Sequence, residues 1–372
     1  MERRVQTLTE PMLRPLVCNA LANPGARIAN WRVEEIHGGW GGAIGGTALY
    51  RVAGDTETGD AWSLVLKILY ARAGESETSS YYWKREYELY RSGFLDRLPA
   101  TGLRAPSFFG FAEFPHACWI WMEDVPGTPD RPWSLADYRT VARKLGRFNG
   151  LYLTGEPIPD APWLSDNWHC RITPPLADTF ARLDEYLQHP LVQRGLPLAE
   201  KEAILSIWRE RERYCEALAG LPQTFCHLDA FHRNFFHSEE ETVLIDWALA
   251  GRAAIGEELT TMVALSLYLP AFPLSSAEAL DQAVFAGYSQ GLRDAGWSGD
   301  VRLARLGYVC AMVLRGLAGV KQDIEVLLGK RVYPTLPGEE EPDLWAMADL
   351  FAGVRRFRLL KMADEAQALL AM

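Results

Sequence analysis

The sequence predicts an α+β protein of two lobes, a small β-rich N-terminal lobe and a large, mainly helical C-terminal lobe. The 372 residues exceed what one hydrophobic core usually organises, which favours two lobes over one. Strand-like patterns dominate the first third of the chain, and apolar residues at helical spacing dominate after the Pro/Gly-rich linker VPGTPDRPW. We therefore expect an N-terminal lobe over residues 1–125 and a C-terminal lobe over residues 126–372.

The N-terminal lobe is predicted to hold two helices and one sheet. Apolar residues at helical spacing behind Thr9, a capping residue type, predict a helix over 9–21, and the stretch SSYYWKREYELYR predicts another over 79–91. Apolar runs bounded by turn residues predict strands over 31–36, 47–52, 63–69, 107–114 and 118–122.

The C-terminal lobe is predicted to be helical apart from one β-like segment. Apolar residues recur on one helix face from 135 to 151, and further helices are expected near 176–188, 198–218, 257–269, 276–295, 301–328 and 343–370. Two short apolar runs between 224 and 247 interrupt these helices. We expect this β island to form a hairpin within the helical lobe.

Charge and cysteine usage narrow the class of protein. The balance of 38 basic against 48 acidic residues argues against a protein that grips nucleic acid over a wide surface. The six cysteines include no C-x-x-C pair, which predicts buried thiols in a reducing compartment rather than a disulfide framework or a zinc site. Since neither a signal peptide nor a membrane-spanning run is visible, we expect a cytoplasmic protein without a membrane partner. The oligomeric state stays open.

The β island contains the residues with the most specific chemistry. Asp229 and Asn234 lie five positions apart in the stretch HLDAFHRN, and Asp246 ends the later apolar run VLIDW. Phosphoryl transfer needs a carboxylate that receives the hydroxyl proton and oxygen ligands that hold Mg²⁺ against a triphosphate. The pattern therefore predicts Asp229 as a base and Asn234 with Asp246 as metal ligands. The alternative is a polar turn in which Asp246 caps the next element.

The motif H-x-D-x-x-x-x-N followed by I-D-W resembles the aminoglycoside phosphotransferase/choline kinase-like family, small-molecule kinases related in fold to protein kinases. The resemblance covers residues 30 to 330 and implies a protein-kinase-like bilobal fold that holds ATP and Mg²⁺ between its lobes. It also implies that Asp229 is the catalytic base, that Asn234 and Asp246 bind magnesium, and that His227 braces the catalytic loop.

Two loop positions depart from the commoner family pattern. The same pattern assigns a role to one acidic residue further along the chain. Leu228 replaces a frequent glycine, and Arg233 stands where a small residue is often found. The family often places an acidic residue that braces the helix after the metal ligands, for which Glu258 is the candidate and Glu257 the runner-up. The alternative is a pair of first-turn acids that complement a helix dipole.

A lone lysine in an apolar strand provides an independent check. Lys67 is the predicted phosphate-binding lysine of the third strand, and such a lysine needs a carboxylate partner from the next helix. Glu86 in the following predicted helix is that partner, and Glu88 is a poorer one because it lies nearly across the helix. The alternative is an edge lysine that extends its ammonium group into solvent.

A glycine-rich stretch precedes this strand. Residues 38–46, GGWGGAIGG, fail the strict G-x-G-x-x-G pattern, yet their backbone N–H groups can approach phosphates closely. We assign Gly41 and Gly42 to this contact, with a plain hairpin loop as the alternative.

The stretch WIWMEDVPG resembles the hinge of the family, where an adenine ring bonds to backbone groups. By the family's register Met122 is the gatekeeper, the Glu123 carbonyl accepts from the adenine amino group, and the Val125 N–H donates to the ring. A buried strand end is the alternative.

These observations together predict an ATP- and Mg²⁺-dependent kinase that transfers the γ-phosphoryl group to a hydroxyl of a small molecule. An aminoglycoside-like or other antibiotic or natural-product alcohol is the favoured acceptor. A choline- or sugar-type metabolite kinase is one alternative, and a nucleotide-binding but inactive regulator is another. An acidic cleft would favour a cationic acceptor and an apolar, Trp-lined cleft a macrolide-like or lipid-like one; the candidate acids are Asp178, Asp184, Glu185 and Glu258.

Overall fold

The computed structural model of the protein describes residues 5, 8–36, 46–127, 132–237, 241–269, 271–333 and 343–372. The N-terminal part is a five-stranded antiparallel sheet with two helices. In chain order its elements are α1 (Glu10–Ala20), β1 (Ile28–Glu35), β2 (Thr47–Thr56), β3 (Ala61–Tyr70), α2 (Arg85–Arg91), β4 (Leu103–Arg104), β5 (Phe108–Phe114) and β6 (Ala117–Glu123). The strand order β1-β2-β3-β6-β5 puts β3 at the centre of the sheet, and β4 lies outside it.

The remaining part is mostly helical. Its helices are α3 (Leu135–Thr154), α4 (Trp168–Arg171), α5 (Ala177–Ala181), α6 (Leu183–Tyr186), α7 (Pro190–Gly195), α8 (Lys201–Arg209), α9 (Arg211–Gly220), α10 (Leu259–Tyr268), α11 (Ala277–Asp294), α12 (Val301–Leu327), α13 (Leu344–Arg355) and α14 (Met362–Leu370). The strands β7 (Ser165–Asp166), β8 (Gln223–Cys226), β9 (Phe235–His237), β10 (Thr242–Leu244) and β11 (Gly251–Ala254) form two small sheets, β4-β10-β9 and β7-β11-β8. The predicted α+β class with a small sheet and a larger helical part is confirmed. The lobe boundary at 125/126 stays a prediction.

The central strand β3 is buried on one face by apolar side chains. Leu64, Leu66 and Ile68 are fully buried in the core that also contains residues of α1. Because side chains alternate across a strand, Lys67 lies on the opposite face. The sheet thereby fixes the position and direction of the lysine.

The predicted helix 79–91 begins only at Arg85, because polar groups bind the preceding backbone outside a helix. Nη2 of Arg85 donates to the carbonyl of Ser79 at 2.8 Å, and the N–H of Trp83 donates to Glu75 Oε2 at 2.9 Å. These bonds hold the segment before the helix in turns.

Three other predicted helices are interrupted. At Arg182 and Glu210 the backbone enters the bridge region, which divides the predicted helices 176–188 and 198–218 into two each. The predicted helix 343–370 contains a π-helical segment over Arg356–Lys361. Apolar spacing alone does not register such local changes of backbone geometry.

The prediction that the cysteines are free thiols is wrong for one pair. Cys170 and Cys215 form a disulfide that joins α4 to α9. The two residues lie 45 positions apart, so no short motif marks them in the sequence. The predicted cytoplasmic location, which used the cysteine pattern, stays a prediction.

Helix α12 is long and apolar enough to cross a membrane by length and composition. However, 72% of its most apolar window is buried inside the protein. A core helix of a globular protein has these properties, so α12 is weak evidence for a membrane span.

Helices α3 and α11 cross in close contact through glycines. A Cβ built at Gly291 of α11 would overlap the carbonyl oxygen of Arg143 in α3, and one at Gly146 of α3 would overlap the carbonyl oxygen of Tyr288 in α11. The crossing therefore tolerates no larger side chain without a shift of one helix.

We expect Gly291→Ala to lower the free energy of unfolding by about 1–3 kcal/mol, because the methyl group meets the backbone of α3. Gly220→Ala at the end of α9 is the matched control, since a Cβ there meets nothing within 4 Å. That control should be neutral or stabilising by about 0.4–1 kcal/mol. Urea unfolding of both variants checks the prediction, and equal stabilities would contradict it.

Candidate active site

The centre of the candidate site is a buried lysine between two carboxylates. Lys67 Nζ lies 2.5 Å from Glu86 Oε2 and 2.8 Å from Asp246 Oδ1. Burial opposes the ammonium charge, but Asp246 and Glu86 outweigh it and raise the pKa of Lys67 above its ordinary value. Glu88 pairs instead with Lys84 at 3.2 Å. The structure thus brings Lys67 to the predicted partner and also to the second aspartate of the β island.

The two carboxylates differ in exposure and in acidity. The Glu86 side chain is 1% exposed, and burial raises its pKa although Lys67 opposes the rise. The Asp246 side chain is 30% exposed, and although burial acts to raise its pKa, Lys67 holds it below the ordinary value. Asp246 is therefore the carboxylate that stays charged and that a ligand can reach.

A buried acid fastens the loop that follows β8. Glu258 Oε2 accepts from the N–H of His227 at 2.7 Å, and its Oε1 accepts from the N–H of Leu228 at 3.0 Å. Burial raises the pKa of Glu258 to about 7, although these bonds oppose the rise. Glu258 thus fastens the loop after β8 and stands at the start of α10, whereas its predicted role of bracing that helix stays a prediction.

Two residues of the site have a positive φ without being glycine. Leu228 has φ of 66° and Asp246 has φ of 64°. Such a conformation costs about 1–3 kcal/mol and persists only where surrounding contacts impose it. At Leu228 the bonds to Glu258 and a hydrogen bond from Thr261 Oγ1 to the Leu228 carbonyl, at 2.7 Å, supply them. The position that often holds glycine in the family therefore keeps that geometry here under strain.

His227 is a neutral brace of the same loop. Its Nδ1 accepts from the N–H of Asp229 at 3.2 Å, so the proton is on Nε2, which donates to the carbonyl of Ile245 at 3.0 Å. Burial lowers the pKa of His227 to about 4, which keeps the ring neutral. The histidine thereby ties the loop of Asp229 to the strand end before Asp246.

Asp229 and Asn234 are joined directly. Asn234 Nδ2 donates to the Asp229 carbonyl at 2.9 Å and to Asp229 Oδ2 at 3.3 Å. Since the amide nitrogen is occupied, Oδ1 of Asn234 is left to accept from, or coordinate, another group. Burial and the negative charge of Asp246 raise the pKa of Asp229 to about 7.

The donors fit a hard divalent cation. Asp246 offers a charged carboxylate and Asn234 an amide oxygen, and Mg²⁺ prefers oxygen ligands from one or two side chains together with phosphates and water. No cluster of three or more His, Cys, Asp or Glu suited to a metal occurs in the part of the chain that the structure describes. A metal here would thus complete its shell with ligand oxygens and water, as expected where a nucleotide supplies them.

The predicted hinge follows the last residues of β6. Met122 is buried, and the carboxylate of Glu123 is held by Arg104 through bonds of 2.6 and 2.9 Å. Within the described ranges, the N–H of Val125 donates to no other backbone group. Among the described residues, the backbone donor that the family register assigns to an adenine ring thus has no backbone acceptor.

The glycine-rich stretch lies almost wholly outside the described residues, and with it Gly41 and Gly42. Its last residue, Gly46, accepts at its carbonyl from the N–H of Tyr70 at 2.9 Å. A Cβ built at Gly46 would meet the guanidinium of Arg72. The predicted phosphate contact of Gly41 and Gly42 stays a prediction.

One buried arginine that anchors α2 was not predicted from the sequence. Arg85 directly precedes the partner of the lysine, and it donates to the carbonyls of Trp163 at 2.8 Å, Ala248 at 2.7 Å and Ser79 at 2.8 Å. Burial lowers the pKa of Arg85 to about 10. The helical pattern gave no signal for it, because its partners are backbone carbonyls far along the chain.

Another contact that the sequence did not predict is a buried histidine–glutamate pair under the loop that follows β8. His169 Nδ1 and Glu257 Oε2 are 2.7 Å apart and fully buried, and Glu257 also accepts from the N–H of Ala254 at 2.7 Å. Glu257, the runner-up for the acid that braces the following helix, thus contacts β11 and α4.

Comparisons with known proteins agree with this geometry. A family model described as the phosphotransferase enzyme family matches residues 56–298, and no curated protein sequence matches the chain. An amicoumacin kinase, solved with AMP-PNP, Ca²⁺ and Ami, is 14% identical with a TM-score of 0.53 over 98% of this chain and 96% of its own. A choline kinase from Cryptosporidium parvum Iowa II is 15% identical with a TM-score of 0.53 over 91% of each chain. At these identities the two structures show the fold alone, and they confirm the expected kinase-like fold.

We expect Glu258→Gln to destabilise the protein by about 1–3 kcal/mol, because an amide has one acceptor oxygen and leaves one buried loop N–H unpaired. Thermal unfolding measures the change. Glu212→Gln is the control, since the Glu212 side chain is 77% exposed. If the two variants unfold at the same temperature, Glu258 does not brace the loop.

Proposed function

Because the chain belongs to the phosphotransferase enzyme family, we propose that it is an ATP- and Mg²⁺-dependent kinase that phosphorylates a hydroxyl of a small molecule. The observation that carries the proposal is that four segments far apart in the sequence meet around Lys67 and Asp229. Lys67 of β3 pairs with Glu86 of α2 and with Asp246, and Asp229 is bonded to Asn234. A buried ion pair with a purely structural role would not require Asp229 and Asn234, the second pair of oxygen donors, which are hydrogen-bonded to each other.

The nucleotide site is proposed at the junction of the sheet and the helical part. Lys67 binds the phosphates, and its bond to Glu86 keeps the ammonium group in place. The Glu123 carbonyl and the Val125 N–H bind the adenine ring, and Met122 lies behind it. The glycine-rich stretch covers the phosphates through Gly41 and Gly42.

Asn234 and Asp246 would hold the magnesium ion. When bound, this ion neutralises charge that develops on the phosphate oxygens during transfer. Asp246 remains ionised beside Lys67, and the amide of Asn234 is oriented by Asp229 so that its oxygen is free for coordination. The buried, neutral His227 ties the loop of Asp229 to the segment before Asp246.

Asp229 is the proposed general base. The acceptor oxygen forms a bond to the γ-phosphorus, its proton passes to Asp229, and the bond to the β-phosphate oxygen breaks so that ADP leaves. The acceptor is proposed to be a natural-product alcohol such as an antibiotic, with a choline- or sugar-type metabolite as the alternative. Retention of Lys67, Asn234 and Asp246 argues against an inactive nucleotide-binding regulator.

We expect Asp229→Ala to lower turnover of Mg·ATP by a factor of about 10²–10⁴, because a positioned base is removed. ADP release, alone and with a panel of alcohols, measures turnover, and nucleotide binding should persist. Asp178→Ala is the control, since that carboxylate is 74% exposed. Near-normal turnover in a folded Asp229→Ala variant would disprove the role of Asp229.

We expect Asp246→Asn to abolish the Mg²⁺-dependent part of ATP binding, because it removes a charged metal ligand. Calorimetric titration with ATP, with and without Mg²⁺, measures the difference. Glu88→Gln serves as control because Glu88 lies outside the lysine pair. Unchanged metal dependence in Asp246→Asn would contradict the assignment.

A further inference from the structure

One cation near the loop of Asp229 has no carboxylate partner among the described residues and a buried nitrogen without a hydrogen-bond partner. Arg315 lies on α12, and its guanidinium carbon is 5.5 Å from the centre of the Trp168 ring. Trp168 packs edge-on against Tyr81 at 5.7 Å and shares an apolar cluster with Leu228, the residue before Asp229. The arginine therefore lies in the helical part near the proposed base, and its charge acts on Asp229.

Not every N–H donor of the Arg315 guanidinium has a hydrogen-bond acceptor. Its Nη1 is buried and has no hydrogen-bond partner, and within the described ranges it forms no ion pair with a carboxylate. Buried cations without a partner are rare in folded proteins because desolvation is not compensated. Burial lowers the pKa of Arg315, and interactions with Asp229 and Tyr81 oppose this shift. The guanidinium stays a cation.

The acids named as candidates for an acidic cleft offer little free charge beside the base. Asp178, Asp184 and Glu185 have side chains 74%, 75% and 65% exposed and pair with Arg182 or Lys201. Glu258 is fully buried under the loop. These contacts do not favour a cationic acceptor over an anionic one.

The positive charges that act on Tyr81 are arginines. Besides Arg315, the charges that act on Tyr81 include Arg331 and Arg72, each already paired with a glutamate. Tyr81 is 43% exposed, so a ligand can reach its side chain from solvent. Arg315 thus differs from these two arginines in having no carboxylate partner among the described residues.

We propose that Arg315 binds an anionic oxygen group, a carboxylate or a phosphate, on the acceptor whose hydroxyl Asp229 deprotonates. The acceptor is then an acidic alcohol, with its carbon skeleton against the rings of Tyr81 and Trp168. This inference rests on the proposed function and names its substrate class. Guanidinium suits the task because its planar donors match both anions in a bidentate manner.

Two matched series of alcohols test the proposal. Each series keeps the number of carbons and varies the charge. The three-carbon series is glycerate, glycerol 3-phosphate, glycerol and 3-aminopropane-1,2-diol. The six-carbon series is gluconate, glucose 6-phosphate, glucose and glucosamine. The concentration at which each changes ADP release from Mg·ATP, by stimulation or inhibition, is measured for the wild type, Arg315→Gln and Arg315→Lys. Arg331→Gln is the matched control because Arg331 is paired with Glu325.

In the wild type, acidic members should act at concentrations about tenfold or more below their neutral and ammonium counterparts. Arg315→Gln should remove this preference, Arg315→Lys should retain part of it, and Arg331→Gln should leave it intact. The carboxylate and phosphate compounds show which anion is preferred.

Three results would overturn the inference: a preference for neutral or ammonium compounds, an acid preference that survives in a folded Arg315→Gln variant, or no response to any acidic compound. Calorimetric titration with Mg·ATP separates this failure from that of the proposed function. Intact Mg·ATP binding without acid preference rejects the role of Arg315 alone, whereas absent Mg·ATP binding rejects the kinase assignment itself.

Discussion

The structure depends on one buried cation shared by two carboxylates. Lys67 costs free energy to desolvate, and only the ion pairs with Glu86 and Asp246 compensate it. Each partner belongs to a different part of the fold, so the pairing fixes how the sheet, α2 and the β island lie relative to one another. The same electrostatic balance leaves Asp246 ionised. A structural requirement and a ligand-binding property thus arise from a single arrangement of charges.

The catalytic loop illustrates how strain is maintained by buried polar contacts. Leu228 is held at positive φ, where a glycine would be relaxed, and its side chain is buried in an apolar cluster. The apolar contacts and the bonds from Glu258 and Thr261 offset the strain that the side chain introduces. Such compensation explains how the loop keeps its geometry without the glycine.

Much of the fold and of the site centre could be predicted, because the signals were local. The strand around Lys67, the helix carrying Glu86 and the motif from His227 to Asn234 each have a short pattern with a physical reason. The breaks at Arg182 and Glu210 could not be predicted, since they depend on backbone geometry that apolar spacing does not encode.

Contacts between residues far apart in the chain could not be predicted either. Cys170 and Cys215 meet across 45 positions, and the Arg315 guanidinium meets Trp168 although the two residues are far apart in the chain. Neither pair has a sequence spacing that distinguishes it from chance. The ion pairs of the exposed acids Asp178 and Asp184 with Arg182 and Lys201 likewise could not be assigned from the sequence.

The anchoring of Arg85 limits how this protein can be regulated. Its guanidinium bonds to the carbonyls of Trp163 and Ala248 immobilise the helix that carries Glu86. Moving that helix outward would leave several buried donors of Arg85 without acceptors at a cost of about 1–3 kcal/mol each. The fold therefore favours the helix position in which Glu86 contacts Lys67.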